Sequence, residues 1–228
     1  MNLANNLWNN VTSKPSRGGR LEKRRMVAPY YDGASVATWN TLLPDILCDE
    51  LVKHFSENTP VSNGVVNGPH KDHRSVITRW ALPGDWVPSF ISNYVNIANE
   101  QMFEYELNAI HYTECHMLEY GPGHYYHWHC DAAVENTTLK PPRTWQTTEL
   151  CNQDYVRKIS FTLQLSNEDD YTGGDIQLID SFTNKMITVP KTRGTLILFD
   201  SRITHRVKPV KTGKRVALVG WALGPKWK

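Results

Sequence analysis

The pentapeptide HWHCD, residues 127–131, sets His127, His129 and Asp131 two positions apart. Along a regular β-strand successive side chains alternate between faces, so all three would share one face. Imidazole nitrogens and a carboxylate gathered in this way suit a divalent metal ion. A rigid strand can hold two such ligands side by side, and a third must then come from another strand. A second H-x-D triplet, His70 to Asp72 with His73 beside it, lies in SNGVVNGPHKDHRS. That stretch is turn-rich, nothing in it makes two side chains converge, and it reads as loop.

The candidate third ligand is His205, which follows the apolar segment GTLILFD. Arg215 comes ten residues later and opens RVALVGWAL. If PVKTG turns the chain near Val210, His205 and Arg215 stand close together on adjacent antiparallel strands. Two histidines and one carboxylate occupy one face of an octahedron and leave three positions open. That arrangement favours non-haem Fe(II) over zinc, whose catalytic sites keep one open position. Three open positions accept a bidentate 2-oxo acid and one O₂. A buried Arg215 guanidinium would grip the far carboxylate of that acid through a two-pronged fork.

The elements that must carry these residues are legible as periodicities. LPDILCDELVKHF (43–55) has helical spacing, with Ile46, Leu47, Leu51 and Phe55 on one side and Asp45 as cap. SFISNYVNIANEQM (89–102) predicts a second helix, with Phe90, Tyr94, Ile97 and Met102 near one face and Ser89 as N-cap. From residue 106 the period shortens. ELNAIHYTECHMLEY, RKISFTLQLS, DIQLID, MITVP, TLILFD, HRVKPV and RVALVGWAL are β-branched or aromatic runs, with SFTN and KTGK as hairpin loops. Two helices before roughly eight strands predict a mainly β domain, a double-sheet jelly roll with the helices packed outside.

The stretch Tyr120-x-x-Gly123-x-x-Tyr126-x-x-His129-x-Asp131 resembles the metal-binding strand of prolyl-4-hydroxylase-type Fe(II)/2-oxoglutarate dioxygenases. LSNEDDYTGGDIQL looks like their L-s-x-x-x-x-Y-x-G-G-[DE]-L segment, and GTLILFDSRITHRVKPVKTGKRVALVGW is similar to their distal segment. The likeness is closest to the PKHD-type hydroxylases and covers about residues 43 to 223. It implies a double-stranded β-helix with His129, Asp131 and His205 on the metal and Arg215 on the C5 carboxylate of 2-oxoglutarate. It further implies Tyr120 and Gln164 lining the co-substrate pocket and Trp221 near the iron. The cofactors implied are Fe(II), 2-oxoglutarate and O₂, with ascorbate as a candidate reductant. The family pattern favours His129 over His127, which becomes a pocket residue or strand surface. His111, His116 and His124 read as ordinary strand histidines. Gly173 and Gly174 read as turn glycines where a Cβ would clash.

The resemblance implies oxidative hydroxylation of an unactivated C–H bond, with succinate and CO₂ released, and a prolyl residue of a polypeptide as the favoured substrate. The rivals are a cupin-like metal-dependent non-oxygenase, a small-molecule hydroxylase, and a structural or binding protein on the same scaffold. A formal charge of +2 gives no general argument for nucleic acid or membrane partners. No apolar run approaches ~20 residues, so no membrane span is expected. MNLANNLWNN lacks the pattern of a secretory leader, and Cys48, Cys115, Cys130 and Cys151 show no C-x-x-C spacing. Both features predict a cytoplasmic protein with small buried thiols. Residues 1–27, with SKPSRGGRLEKRR, read as a basic flexible arm, for which nucleic-acid contact is the less favoured alternative. Residues 28–228 read as a single domain. The long segment after Asp131, 132–156, is expected to act as a lid over a polypeptide substrate.

Overall fold

A computed structural model describes residues 26–27, 36–63, 74–132, 155–180 and 183–227. Residues 1–25 of the basic arm, the His70–Asp72 triplet, Trp145, Cys151 and nearly all of the expected lid lie outside these residues, while Met26 and Val27 of the arm form a strand. The chain opens with strands β1 (Met26–Val27) and β2 (Val36–Trp39) and helix α1 (Asp45–Asn58). Short strands β3 (Ser62–Asn63), β4 (Arg74–Ser75) and β5 (Ile77–Trp80) precede helix α2 (Val87–Ala98). Then come β6 (Cys115–Tyr120), β7 (Tyr125–His129), β8 (Tyr155–Gln164), β9 (Tyr171–Gly173) and β10 (Ile176–Ile179). The last five are β11 (Met186–Thr188), β12 (Leu196–Asp200), β13 (His205–Val207), β14 (Val210–Gly213) and β15 (Arg215–Pro225).

The strands form an eight-stranded antiparallel sheet, β1-β2-β12-β8-β15-β6-β5-β3, and a five-stranded one, β11-β10-β13-β7-β4. β14 and β9 form a separate two-stranded pair. This is the expected jelly roll, with the large sheet in the middle of a three-layer stack. The period-2 alternation along its strands decides what each face meets. In β12, Leu196 and Leu198 point to the cluster that includes Leu47, Leu51 and Phe55 of α1 and Ile91 and Val95 of α2. Ile197 and Phe199 point the other way, to Leu178 and Val207 of the small sheet. The helices therefore cover one face of the large sheet, and the small sheet covers the other.

The helices differ from expectation at their starts and faces. Helix α1 is capped at Pro44 with no side-chain bond, and Asp45 is its first residue, where a carboxylate favours the helix dipole. Ile46 is 56% exposed, and Cys48 takes the buried position instead. Helix α2 begins at Val87, its first N–H donating to Asp85 Oδ1 at 3.0 Å, while Ser89 is exposed. It buries Ile91, Tyr94, Val95 and Ala98 and gives way at Asn99–Phe103 to a wider, π-helical turn. Of the run 106–120 only Cys115–Tyr120 is strand, with a short 3₁₀ turn at Tyr112–Glu114 before it. KTGK is no hairpin loop: Lys211 to Gly213 belong to β14, paired with β9. Cys48 and Cys115 are buried thiols, whereas Cys130 is exposed with Sγ 3.3 Å from Thr204 Oγ1.

One expected adjacency fails outright. His205 and Arg215 are not on neighbouring strands. β13 pairs with β10 and β7 in the small sheet, and β15 pairs with β6 and β8 in the large one. The intervening PVKTG is drawn into β14 by β9, so the chain passes from one sheet to the other instead of turning back on itself.

Candidate metal and co-substrate site

His129, at the end of β7, stands in register with His205, the first residue of β13. Their rings lie 4.1 Å apart, centre to centre. Asp131 follows β7 and is fixed by its backbone, since the N–H groups of Asp131 and Ala132 both donate to the Ser201 carbonyl, at 3.0 and 2.9 Å. Its two carboxylate oxygens reach one histidine each: Oδ1 is 3.5 Å from His129 Nε2 and Oδ2 is 3.4 Å from His205 Nε2. One ligand atom from each of the three residues falls within 4.8 Å of the others, and no other such group occurs among the described residues. Two donors bound at about 2.1 Å and at right angles would stand about 3 Å apart, so the spacing fits one ion after small adjustment.

The protons are placed for the same task. His129 Nδ1 is 2.7 Å from the His127 carbonyl, and His205 Nδ1 is 3.0 Å from the Ile203 carbonyl. A carbonyl only accepts, so each Nδ1 carries the hydrogen and each Nε2 presents a lone pair towards the other ligands. Burial holds His205 neutral, lowering its pKa to about 4. Ser160 Oγ donates to Asp131 Oδ2 at 2.7 Å and lies 2.9 Å from Ser201 Oγ. Ser160 is on β8, so Asp131 ties the two sheets together at the site.

The alternation that was expected to put His127 with His129 is broken. Between His205 and Val207 of β13, β7 advances from His129 to Tyr126, a bulge of one residue. Tyr126, not His127, therefore joins His129 on the inner side and stacks on it, 3.5 Å between centroids and 19° between planes. His127 is exposed, and its ring packs on Tyr125 at 4.7 Å.

The inner face of the large sheet continues the site. Ser160, Thr162 and Gln164 alternate along β8 with the outward Ile159, Phe161 and Leu163. Register extends them into rows: Phe199, Ser160 and Trp221; then Ile197, Thr162, Val219, His116 and Trp80; then Gln164, Ala217 and Leu118; then Arg215 and Tyr120. Arg215 is 1% exposed. Its Nη2 donates to Gln164 Oε1 at 3.0 Å, its guanidinium carbon lies 5.3 Å from the Tyr120 ring centre, and its Nε has no partner. No carboxylate pairs with it among the described residues. Gly174, at φ +61°, leaves room for it; a Cβ there would sit 3.2 Å from Arg215 Cδ.

His129, Asp131 and His205 come together as one candidate metal group, and Gln164, Arg215, Tyr120 and Trp221 share the inner face of the large sheet. Ser160 and the buried Glu114 were not singled out, and Tyr126 was named in the motif without a role; Glu114 Oε2 accepts from Arg157 Nε at 2.8 Å while Arg157 lies 3.5 Å over the Trp221 ring. The signal for Ser160 was present: S-x-T-x-Q within RKISFTLQLS is a polar stripe of period 2 in an apolar strand.

The profile of the 2OG-Fe(II) oxygenase superfamily matches residues 115–223, which contain His129, Asp131, His205 and Arg215. Over this stretch the chain is similar to that superfamily. Its curated relatives include the PKHD-type hydroxylase of Xylella fastidiosa (strain M12), 33% identical over 102 residues, 45% of this chain and 40% of that protein. The PKHD-type hydroxylase YbiX of Shigella flexneri is 27% identical over 195 residues, 78% of this chain and 76% of that protein. The match thus spans about two-fifths of the Xylella protein's length. In fold, the chain is similar to a Pseudomonas putida prolyl-4-hydroxylase, with TM-score 0.59, 20% identity, and 85% and 94% of the two chains covered. It is similar also to the viral collagen prolyl hydroxylase of Paramecium Bursaria Chlorella virus-1, with TM-score 0.56, 20% identity, and 84% and 97% covered.

Proposed function

We propose that the chain is an Fe(II)- and 2-oxoglutarate-dependent dioxygenase that hydroxylates a prolyl residue of a polypeptide. The observation that carries this reading is the uncompensated Arg215. A buried cation without an anion is costly, so the cleft calls for a carboxylate ligand within reach of a three-ligand metal site. The distal carboxylate of 2-oxoglutarate meets that need, and a non-oxygenase on the same scaffold would leave it unmet.

His129, Asp131 and His205 would hold the iron by Nε2, a carboxylate oxygen and Nε2. Iron and 2-oxoglutarate, when bound, supply O₂ activation coupled to decarboxylation to succinate and CO₂, with one oxygen atom passing to a substrate C–H bond. Ser160 and Ser201 fix the rotamer of Asp131. Arg215 orients the co-substrate by its C5 carboxylate, with Gln164 holding the guanidinium and Tyr120 forming the wall behind it. Trp221, in the row of Ser160, would wall the metal end of the cleft and help keep water from the reacting atoms. The prolyl assignment is supported by the named activities of the Pseudomonas and viral proteins that share the fold.

Two measurements test the reading. Adding 2-oxoglutarate to the anaerobic Fe(II) protein should produce a weak visible charge-transfer band, and its absence would remove the co-substrate. An untargeted search of host-cell proteins for a 16-dalton gain on proline, with and without the chain, should find at least one target. A gain confined to other residues or to small molecules would overturn the prolyl assignment and leave the oxygenase.

A further inference from the structure

Among the described residues six buried side-chain polar atoms have no hydrogen-bond partner. Trp39 Nε1 lies away from the cleft. Thr162 Oγ1 and Arg215 Nε face the space assigned to 2-oxoglutarate. Two of the others belong to a single residue, His116, whose Nδ1 and Nε2 are both unpaired in a side chain that is wholly covered. A core histidine ordinarily has at least one nitrogen satisfied. Among the described residues it bonds neither the candidate metal group nor Arg215.

Its position is defined by register. His116 on β6 lies opposite Val219 of β15 and Trp80 of β5, one row from Ser160 and Trp221. Leu118 and Tyr120 follow on the same face. Trp80 stacks on the imidazole with centroids 4.0 Å apart, and Trp221 is tilted against it at 5.3 Å. With indoles against the ring, only its edge is left for a polar partner, and the edge carries both nitrogens. Burial, then the charges of Arg74 and Arg157, hold the ring neutral. A neutral imidazole offers one N–H and one lone pair. The fifth residue with an unpaired atom, Arg74, adds another donor in its Nε, with its guanidinium 4.8 Å from the Tyr126 ring centre.

Donors and aromatic walls fit an acceptor on an apolar ring. The amide before a proline is such a group, since it has a carbonyl oxygen and no N–H. We propose that His116 is a specificity-determining residue that donates from its imidazole edge to the carbonyl preceding the substrate proline, while Trp221 flanks the pyrrolidine ring. The inference rests on the prolyl reading. Because the imidazole is covered, the substrate reaches it as the part-exposed indole of Trp80 swings aside.

The probe is the peptide acetyl-Ala-Pro-Ala-Pro-Ala-amide, added to the full chain loaded with Fe(II) and 2-oxoglutarate. Anaerobic binding is followed by tryptophan fluorescence and by the ¹⁵N shifts of His116, and aerobic hydroxylation gives KM and kcat. The wild type should bind the peptide with a shift at His116. H116F should raise the peptide KM about 10-fold, the loss expected for one hydrogen bond to a buried group. H116Q, which keeps an N–H, should fall between the two. KM for 2-oxoglutarate and Fe(II) affinity should not move in either variant, and the substrate-free H116F protein should melt no lower than wild type. A wild type that does not bind the peptide overturns the prolyl reading and this inference together. A wild type that binds while H116F keeps its peptide KM overturns the inference alone. Equal losses of peptide and 2-oxoglutarate affinity in both variants make His116 a packing residue and overturn it too.

Discussion

On its outer face β8 shows Ile159, Phe161 and Leu163, packed with Leu196, Leu198 and Leu218 under the helices. On its inner face the same strand shows Ser160, Thr162 and Gln164, all nearly inaccessible, with Thr162 unpaired and Gln164 bonded to a buried arginine. The outer face is what a stable core requires. The inner face works against stability in the absence of ligands, because polar atoms are buried without full partners. Alternation lets one strand do both, so stability and chemistry should separate by residue parity.

The largest effects should come from exchanging the faces' roles. His129→Ala, Asp131→Ala and His205→Ala should each abolish 2-oxoglutarate turnover, read as succinate, while the chain remains folded by circular dichroism. Leu163→Ala, one residue from Thr162, should do the reverse. It should cost ~2–5 kcal/mol of stability, seen as a lowered Tm, and leave kcat per folded molecule close to wild type. A ligand variant that unfolds, or a Leu163 variant that loses activity at full stability, breaks the comparison.

Arg215 comes next. Arg215→Ala should leave Fe(II) in place and weaken 2-oxoglutarate by about 100-fold or more, since one partner of a buried charge pair is removed. Arg215→Lys keeps the charge without the fork and should be partly active. Arg215→Met should raise the Tm measured without 2-oxoglutarate, because an unpaired buried cation is replaced by an apolar chain of similar length. If Arg215→Met melts lower than wild type in the absence of ligand, the inner face is stabilising after all.

The sequence made the chemistry more legible than its geometry. Residue types and spacing pointed to His129, Asp131 and His205, which the fold gathers into one group, but it took the family pattern to prefer His129 over His127. The adjacency of His205 and Arg215 was misjudged because KTG is captured by β9, a pairing that depends on a strand some forty residues earlier. The face of His127 was misjudged because one bulge reverses a period-2 argument, and nothing in TECHMLEYGPGHYYHWHCD marks it. The helix faces rotated for a similar reason: tertiary contact chose Cys48 over Ile46, against the hydrophobicity of the two side chains.

A smaller effect sharpens the link between the sheets. Ser160→Ala removes the hydroxyl that donates to Asp131 Oδ2 and leaves the ligands in place. Fe(II) affinity, measured by anaerobic titration, should fall roughly 10-fold, the usual scale for a group that orients a metal ligand. Affinity for 2-oxoglutarate at saturating Fe(II) should hold. A fall in both would mean that Ser160 shapes the whole cleft and not Asp131 alone.

The smallest effect is expected at His127, although it lies closest in sequence to the ligands and is chemically suited to be one. Its imidazole is outside the ligand group because the bulge in β7 gives the inner position to Tyr126. What His127 does for the site it does through its main chain, whose carbonyl accepts from His129 Nδ1 and so fixes the tautomer of that imidazole. Alanine keeps that carbonyl. His127→Ala should therefore change Fe(II) affinity by less than about 2-fold, within the range of an exposed substitution. The same titration that registers the Ser160 loss will resolve this. An iron loss in His127→Ala as large as in His129→Ala would show that the strand runs unbulged in the metal-bound protein, with residues 127, 129 and 131 on one face.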